Sequence, residues 1–240
     1  MQTEKLTYEA DGLRMDSQLF YQPGTGRRPG VLVFPEAFGL GDHAISRAER
    51  VAKLGYVALA CDLHGDRRII NDMQQVIGLI GSLRSEVSRV RARAQGGLNA
   101  LKQRPEVDPN RIAAIGFCFG GTMALELARS GGNVAGVVGF HSGLVTVAPQ
   151  DAKNIKGKVL VCIGADDPGI PPEERSAFEQ EMRAGKVDWQ MNVYGGVVHS
   201  FTNPDADKAG LPQQLRYDAK ADTRSWQEMC AFFEEIFRSK

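Results

Sequence analysis

Apolar and polar residues alternate from about Lys5 to Tyr21, the period of a half-buried strand. The alternation breaks at Ala10-Asp11-Gly12, which predicts two short antiparallel strands joined by a tight turn. After a turn-rich link at residues 22–29 (QPGTGRRP) the pattern changes. Short unbroken apolar runs now recur at 30–34 (GVLVF), 57–61, 112–115, 134–140, 158–164 (KVLVCIG) and 187–194. Runs of this length, closed by glycine, proline or aspartate, predict strands buried on both faces. Between them the apolar spacing is helical: at about 42–54, stopped by Gly55; at 85–102; through Met123, Leu125 and Leu127; at 172–183; and at 218–237. Residues 67–83 carry a weak pattern, read as a loop and a short helix, and 105–110 returns the chain to the next strand. Strands alternating with helices imply an α/β fold. The sheet is mostly parallel, with right-handed crossovers, helices on both faces and a short antiparallel N-terminal edge.

With 240 residues, no internal repeat and no linker, residues 1–240 read as a single domain. Lysine plus arginine and aspartate plus glutamate number 29 each, a formal charge of zero. That balance implies no basic face for nucleic acid or an anionic membrane. Cys61, Cys118, Cys162 and Cys230 are far apart and form no C-x-x-C, which argues against a zinc site and a disulfide framework. Cys61 and Cys162 fall inside strand runs and Cys230 within a helix, so these three read as packing residues. The opening MQTEKLTYEADG has no apolar signal core and no run reaches membrane-span length, so a cytoplasmic protein is expected.

The fourth cysteine is placed differently. It follows the run at 112–115 and precedes the helical spacing, inside Gly116-Phe117-Cys118-Phe119-Gly120-Gly121. Glycine two places before and two places after a nucleophile is the spacing of a strand-to-helix elbow, where larger flanking side chains would collide. The corner also sets the thiol at a helix N-terminus, whose unpaired N–H groups favour a thiolate. A cysteine elbow needs a base and a group that orients the base. On a sheet of this kind they follow in the order nucleophile, acid, histidine. His199, on the glycine-rich loop 195–201, is the histidine that fits behind a strand-end acid. The acid is one of the Asp166-Asp167 pair, with Asp167 favoured by the D-P-G-I-P run that sets it at the turn. Glu36 follows the strand at 30–34, at the sheet edge where ligands approach such folds. The N–H groups of Ala37 and Phe119 are the candidates for an oxyanion hole.

At these residues the chain resembles the dienelactone hydrolase (carboxymethylenebutenolidase-like) family of α/β-hydrolases. The resemblance spans nearly the whole chain. It is anchored by Pro35-Glu36-Ala37-Phe38-Gly39, Asp62-Leu63, the Gly116–Gly121 elbow, Gly164-Ala165-Asp166-Asp167 with Pro171, and His199-Ser200-Phe201. It implies the α/β-hydrolase fold, a Cys118–His199–Asp167 triad and a Glu36 that helps deprotonate the thiol. It also implies hydrolysis of a small lactone or ester through an acyl-enzyme, with no metal or organic cofactor. Family members bind a substrate carboxylate with two arginines. At one of those positions this chain has Asp66, followed by Arg67 and Arg68; at the other it has Asn203. Neutral esters are therefore expected to be preferred over carboxylate-bearing lactones. Phe38, His64, Arg67, His141 and Asn203 are the candidate pocket residues.

Three other readings compete. Cysteine amidases and glyoxalase-like enzymes with a similar elbow carry histidine directly after the cysteine, where this chain has Phe119. Gly116-x-Cys118-x-x-Gly121 lacks the middle glycine of a dinucleotide fingerprint, and no acid closes the next strand. A non-catalytic binding protein on this fold is distinguished by whether it turns over esters.

Overall fold

The computed structural model describes residues 1–24 and 26–238, so Thr25 of the predicted surface link lies outside the described residues. Eight strands form one sheet: β1 (Gln2–Ala10), β2 (Leu13–Tyr21), β3 (Arg28–Phe34), β4 (Val57–Ala60), β5 (Val107–Phe117), β6 (Gly136–Phe140), β7 (Lys158–Gly164) and β8 (Trp189–Tyr194). Their order across the sheet is β1-β2-β4-β3-β5-β6-β7-β8. Only the β1–β2 and β2–β4 pairs are antiparallel; the pairs from β4–β3 to β7–β8 are parallel. Asp11 (φ 53°) and Gly12 (φ 68°) both lie in the left-handed region, the conformation that a two-residue hairpin turn matched to strand twist requires.

Among the described residues, six α-helices cover the sheet: α1 (Asp42–Lys53), α2 (Met73–Ser85), α3 (Val87–Lys102), α4 (Phe119–Arg129), α5 (Pro172–Ala184) and α6 (Ala219–Phe237). The central strands bury both faces, which is why they read as continuous apolar runs rather than alternations. Leu32, Phe34, Ile112 and Ala114 pack with Leu98 of α3, Met123 of α4 and Phe178 of α5 on one face. Val31, Val33, Ala113 and Ile115 pack with Ala48 and Val51 of α1 and Phe233 of α6 on the other.

The departures from expectation have local causes. The helix expected at 85–102 is α3, which starts at Val87 because a break at Glu86 (φ −108°, ψ 62°) separates it from α2. The preceding α2 is longer than the short helix expected there; its pattern is weak because it buries only Val76, Ile80 and Leu83 and contains Gly78 and Gly81. Its start is fixed by Asp72, whose carboxylate accepts the Gln75 N–H at 2.7 Å. β5 begins at Val107 rather than near Ile112, because the pairing with β3 jumps from Pro29↔Asp108 to Gly30↔Ile112. Pro109 occupies that irregularity, a place in a sheet where its missing N–H costs no ladder bond.

The parallel strands end along one edge. The loops after β3, β5, β6, β7 and β8 therefore bring Glu36, Cys118, His141, Asp167 and His199 to the same side of the sheet.

Candidate active site

Cys118 occupies a strained turn between β5 and α4, with φ 54° and ψ −121°. A non-glycine residue in this region costs of order 1–3 kcal/mol and persists only where its surroundings enforce it. Two surroundings do so here. The Cys118 N–H is shared between the Phe140 carbonyl (3.0 Å) and His141 Nδ1 (3.1 Å). The flanking glycines let the backbones close up: a Cβ on Gly116 would lie 2.0 Å from the Gly120 oxygen, and one on Gly120 would lie 2.3 Å from the Phe34 oxygen. Side chains at either position would force the elbow open.

His199 meets Asp167 across the same edge, Nδ1 to Oδ2 at 2.7 Å. Asp167 is buried, and its other oxygen accepts the Gly169 N–H at 2.8 Å. Asp166 is exposed, and its N–H is tied to the Val197 carbonyl. The backbone of His199 is clamped on both sides, its N–H bonding to Gln214 O (3.1 Å) and its carbonyl accepting from Arg216 N–H (3.2 Å). With Nδ1 committed to Asp167, Nε2 is left for the cleft that His199 and Cys118 line together. Burial works against a charged His199 ring. The negative charge of a Cys118 thiolate and the Asp167 hydrogen bond outweigh it and raise the imidazolium to a pKa of about 10.

Glu36 is half-buried beside the elbow but engaged elsewhere. Its carboxylate accepts from Asn203 Nδ2 at 2.6 Å and from Ser200 Oγ at 3.3 Å, with His43 Nδ1 3.6 Å away. Burial raises its pKa above the usual carboxylate range, and those hydrogen bonds oppose the rise. Glu36, Phe38 and Asn203 line a groove next to the Cys118 cleft rather than the cleft itself. Among the described residues, neither the Ala37 nor the Phe119 N–H meets a backbone acceptor. Both are thus available to an incoming oxygen.

Three expected pocket residues are elsewhere. His141 is fully buried behind the elbow, between the Cys118 N–H and Thr202 Oγ1 (2.8 Å from Nε2). Burial holds it well below the usual histidine pKa, so it is neutral, accepting at Nδ1 and donating from Nε2. His64 is buried and bonds through Nε2 to the Ala37 carbonyl at 2.8 Å, bracing the loop from behind. Arg67 is exposed and lies on a turn whose N–H groups, from His64, Gly65 and Arg67, converge on Asp62. Asp62 therefore organises this turn, which is a structural reason for an acid at that strand end.

The cleft holding Cys118 and His199 has a volume of about 280 Å³ and is walled by Arg84, Gly143, Pro168, Ile170, Gln214 and Leu215. None of these was among the expected pocket residues. Arg84 comes from α2, whose weak pattern hid where it would point. Among the described residues no cluster of histidine, cysteine and carboxylate side chains is arranged to hold a metal ion, and no helix is long and apolar enough to cross a membrane.

The four thiols differ sharply in setting. Cys61 and Cys162 are buried, and burial pushes the Cys61 thiol far up and the Cys162 thiol to about 12; Cys230 is also raised. Cys118, beside His199 at a helix N-terminus, is expected to alkylate first at neutral pH. Peptide mapping after brief iodoacetamide treatment checks this, and faster labelling of any other cysteine in folded protein would contradict it.

Comparison with known proteins places this geometry. The chain is similar to the solved structure m3DLH, with 47% identity and a TM-score of 0.95 over 99% of each chain. It is also similar to the dienelactone hydrolase-like promiscuous phosphotriesterase P91 from metagenomic libraries, with 46% identity and a TM-score of 0.94 over 99% of each chain. The uncharacterized protein K02A2.1 of Caenorhabditis elegans is 34% identical over 62% of this chain and 95% of its own length. The model of the dienelactone hydrolase family matches residues 15–237, from the second strand to the end of the last helix: the chain belongs to the dienelactone hydrolase family, enzymes that hydrolyse lactone and ester bonds.

Proposed function

We propose that this hydrolase works through Cys118 as nucleophile, His199 as base and acid, and Asp167 as the group that orients His199, on lactones or activated esters. The observation that carries the reading is the 2.7 Å Asp167–His199 bond in a cleft shared with an elbow cysteine. His199 Nε2 takes the thiol proton, and the thiolate attacks the ester carbonyl carbon. The carbonyl oxygen becomes an oxyanion held by the N–H groups of Ala37 and Phe119. Collapse breaks the bond to the alcohol oxygen, which receives its proton from His199. A water molecule, deprotonated by the same nitrogen, then attacks the thioester. Expulsion of the sulfur releases the acid and restores the enzyme.

Glu36 reaches the thiol in this scheme only by leaving Asn203 and Ser200. Glu36→Gln is expected to slow acylation and shift its pH dependence with little change in stability. Single-turnover burst kinetics checks this, and an unchanged acylation rate removes Glu36 from the proton path.

Neutral esters are the favoured substrates. Asp66 is exposed and pairs with Arg14, Asn203 is committed to Glu36, and neither Arg67 nor Arg68 lines the cleft. Arg84 supplies one guanidinium where a substrate carboxylate in the family meets two. A lost charged hydrogen bond is worth about 1.5–3 kcal/mol, roughly ten- to hundredfold in affinity. The comparison of kcat/KM for a neutral aryl ester and a dienelactone acid tests both activity and preference, and a clear preference for the acid would contradict the assignment. The 46% identity to a promiscuous phosphotriesterase also supports attack on a neutral activated phosphotriester. Sulfur would displace the leaving alcohol at phosphorus, and water would then cleave the S–P bond.

A further inference from the structure

The Cys118 cleft shares a wall with a second cavity. Arg84 and Gly143 also line this cavity of about 290 Å³, which adds Val87 and Val90 of α3, Thr122 and Glu126 of α4, residues 145–147 and Glu174. The lining beyond Arg84 is dominated by Val87, Val90, Val145 and Val147. Val145 and Val147 are 61% and 62% exposed, large apolar side chains at the rim with no cover. This rim is held in place. Thr122 Oγ1 donates to the Gly143 carbonyl at 2.9 Å, and Glu174 Oε1 accepts the N–H groups of Leu144 and Val145 at 2.5 and 3.1 Å. The carboxylate of Glu126 is committed to Arg91 and Arg129. The acids of the cavity are thus engaged with the protein, and its remaining surface, apart from Arg84 and Thr146, is apolar.

Resting on the cysteine-hydrolase reading above, we infer that this cavity is the acyl subsite: it takes a neutral, apolar acyl arm, an aryl ring or medium-length alkyl chain, of the ester attacked at Cys118. Orientation follows from the chemistry. The departing alcohol must lie next to His199, which gives it a proton, and the wall around His199 is formed by residues 168–170 and 214–215. The acyl arm leaves the carbonyl carbon on the other side, toward Gly143 and Arg84, beyond which the second cavity lies. Its volume is close to the lower end of small-molecule pockets, about 300 Å³, which limits the arm to one ring or a short chain. Arg84 stands at the threshold, its guanidinium lying against Gly143; a Cβ on that glycine would sit 2.8 Å from Arg84 Nη2. Gly143 lets the arginine lie flat between the two cavities, so the acyl arm enters the second one by displacing this exposed side chain.

The test uses two series of p-nitrophenyl and alkyl esters on the full chain. One varies the acyl arm from acetyl to octanoyl, and the other varies the alcohol with acetyl fixed. Wild type is expected to gain kcat/KM as the acyl arm lengthens toward hexanoyl. Filling the cavity with Val87→Phe plus Val147→Phe should remove roughly tenfold or more of that gain, the discrimination that even one methylene in an apolar pocket can give. The acetate rate should stay near wild type. An acyl series unmoved by the substitutions, or an effect confined to the alcohol series, overturns the assignment. Acetate turnover that survives Cys118→Ala would instead sink the nucleophile reading, a separate result. Calorimetric binding of octanamide to the Cys118→Ala protein gives a readout independent of turnover. Binding lost in the filled-cavity variant supports the subsite, and binding equal in both rejects it.

Discussion

His199→Ala and Asp167→Asn are each expected to lower ester turnover by roughly 10²-fold or more, and Cys118→Ala to abolish it, with the fold intact. The reasoning is geometric. Asp167 is fully desolvated and spends one oxygen on Gly169 and the other on His199 Nδ1. An asparagine there offers an N–H where an acceptor is needed, so the ring turns or takes the wrong tautomer. Asp166→Asn provides the control. Its side chain is exposed, and turnover should stay near wild type. Steady-state kinetics with circular dichroism on the four variants checks this, and damage at Asp166 but not Asp167 would mean that the acid is the neighbouring residue.

Stability is expected to peak near pH 6.5 and to fall steeply in mild acid. Burial, aided by the charge of Arg47, lowers His43 to about 3 and His141 well below its usual range; burial also lowers His64. Unfolded, each would titrate near 6.5. Below that pH the unfolded state binds protons that the folded state refuses, so the equilibrium shifts toward unfolding as pH falls from 6.5 toward about 3 for His43. Each such proton is worth about 1.4 kcal/mol per pH unit, so three approach about 4 kcal/mol per unit. Glu36, with its raised pKa, offsets part of this as pH nears its own range. His199 has the opposite sign. Its raised value of about 10 gives stability that is full below 6.5 and lost as pH rises through 10. Urea midpoints from pH 4.5 to 10 check the profile. His43→Gln should flatten the acid limb by about one proton's worth, whereas a flat limb in wild type would contradict the neutral buried histidines.

The architecture was legible because the parallel strands are buried on both faces, and the uninterrupted runs at 30–34 and 158–164 state this directly. That Cys118, Asp167 and His199 meet in one cleft was legible for a related reason. Each sits at a strand end where glycine spacing or chain order restricts what can stand there. The pocket was not legible. Arg84 and Gly143 reach the cleft from segments far apart in sequence, and no local pattern encodes their meeting. His141 misled because a histidine at a strand's carboxyl end reads the same whether it faces the cleft or the core. Only the Cys118 N–H and Thr202 hydroxyl around it reveal a buried, neutral brace. Arg67 misled because the substitution of Asp66 drew attention to the arginines beside it, whereas Asp62 turns that segment away.

The second cavity bears on why the family's carboxylate-binding positions are altered here. Asn203 here holds Glu36, and under the proposed acyl subsite the binding energy would come instead from apolar contact beyond Arg84. The proposed chemistry at the elbow would be unaffected by that exchange, because its oxyanion N–H groups and His199 act on the carbonyl alone.

Cys118 as the covalent nucleophile is tested most directly by trapping the acyl-enzyme. Protein mixed with excess p-nitrophenyl hexanoate is quenched in acid within the first turnover, digested, and mapped by mass spectrometry. A hexanoyl thioester on the peptide containing Cys118, absent in Cys118→Ala and accumulating in His199→Ala treated with a highly activated ester, is the predicted result. Full turnover with no adduct on that peptide, or an adduct on another residue, would contradict it.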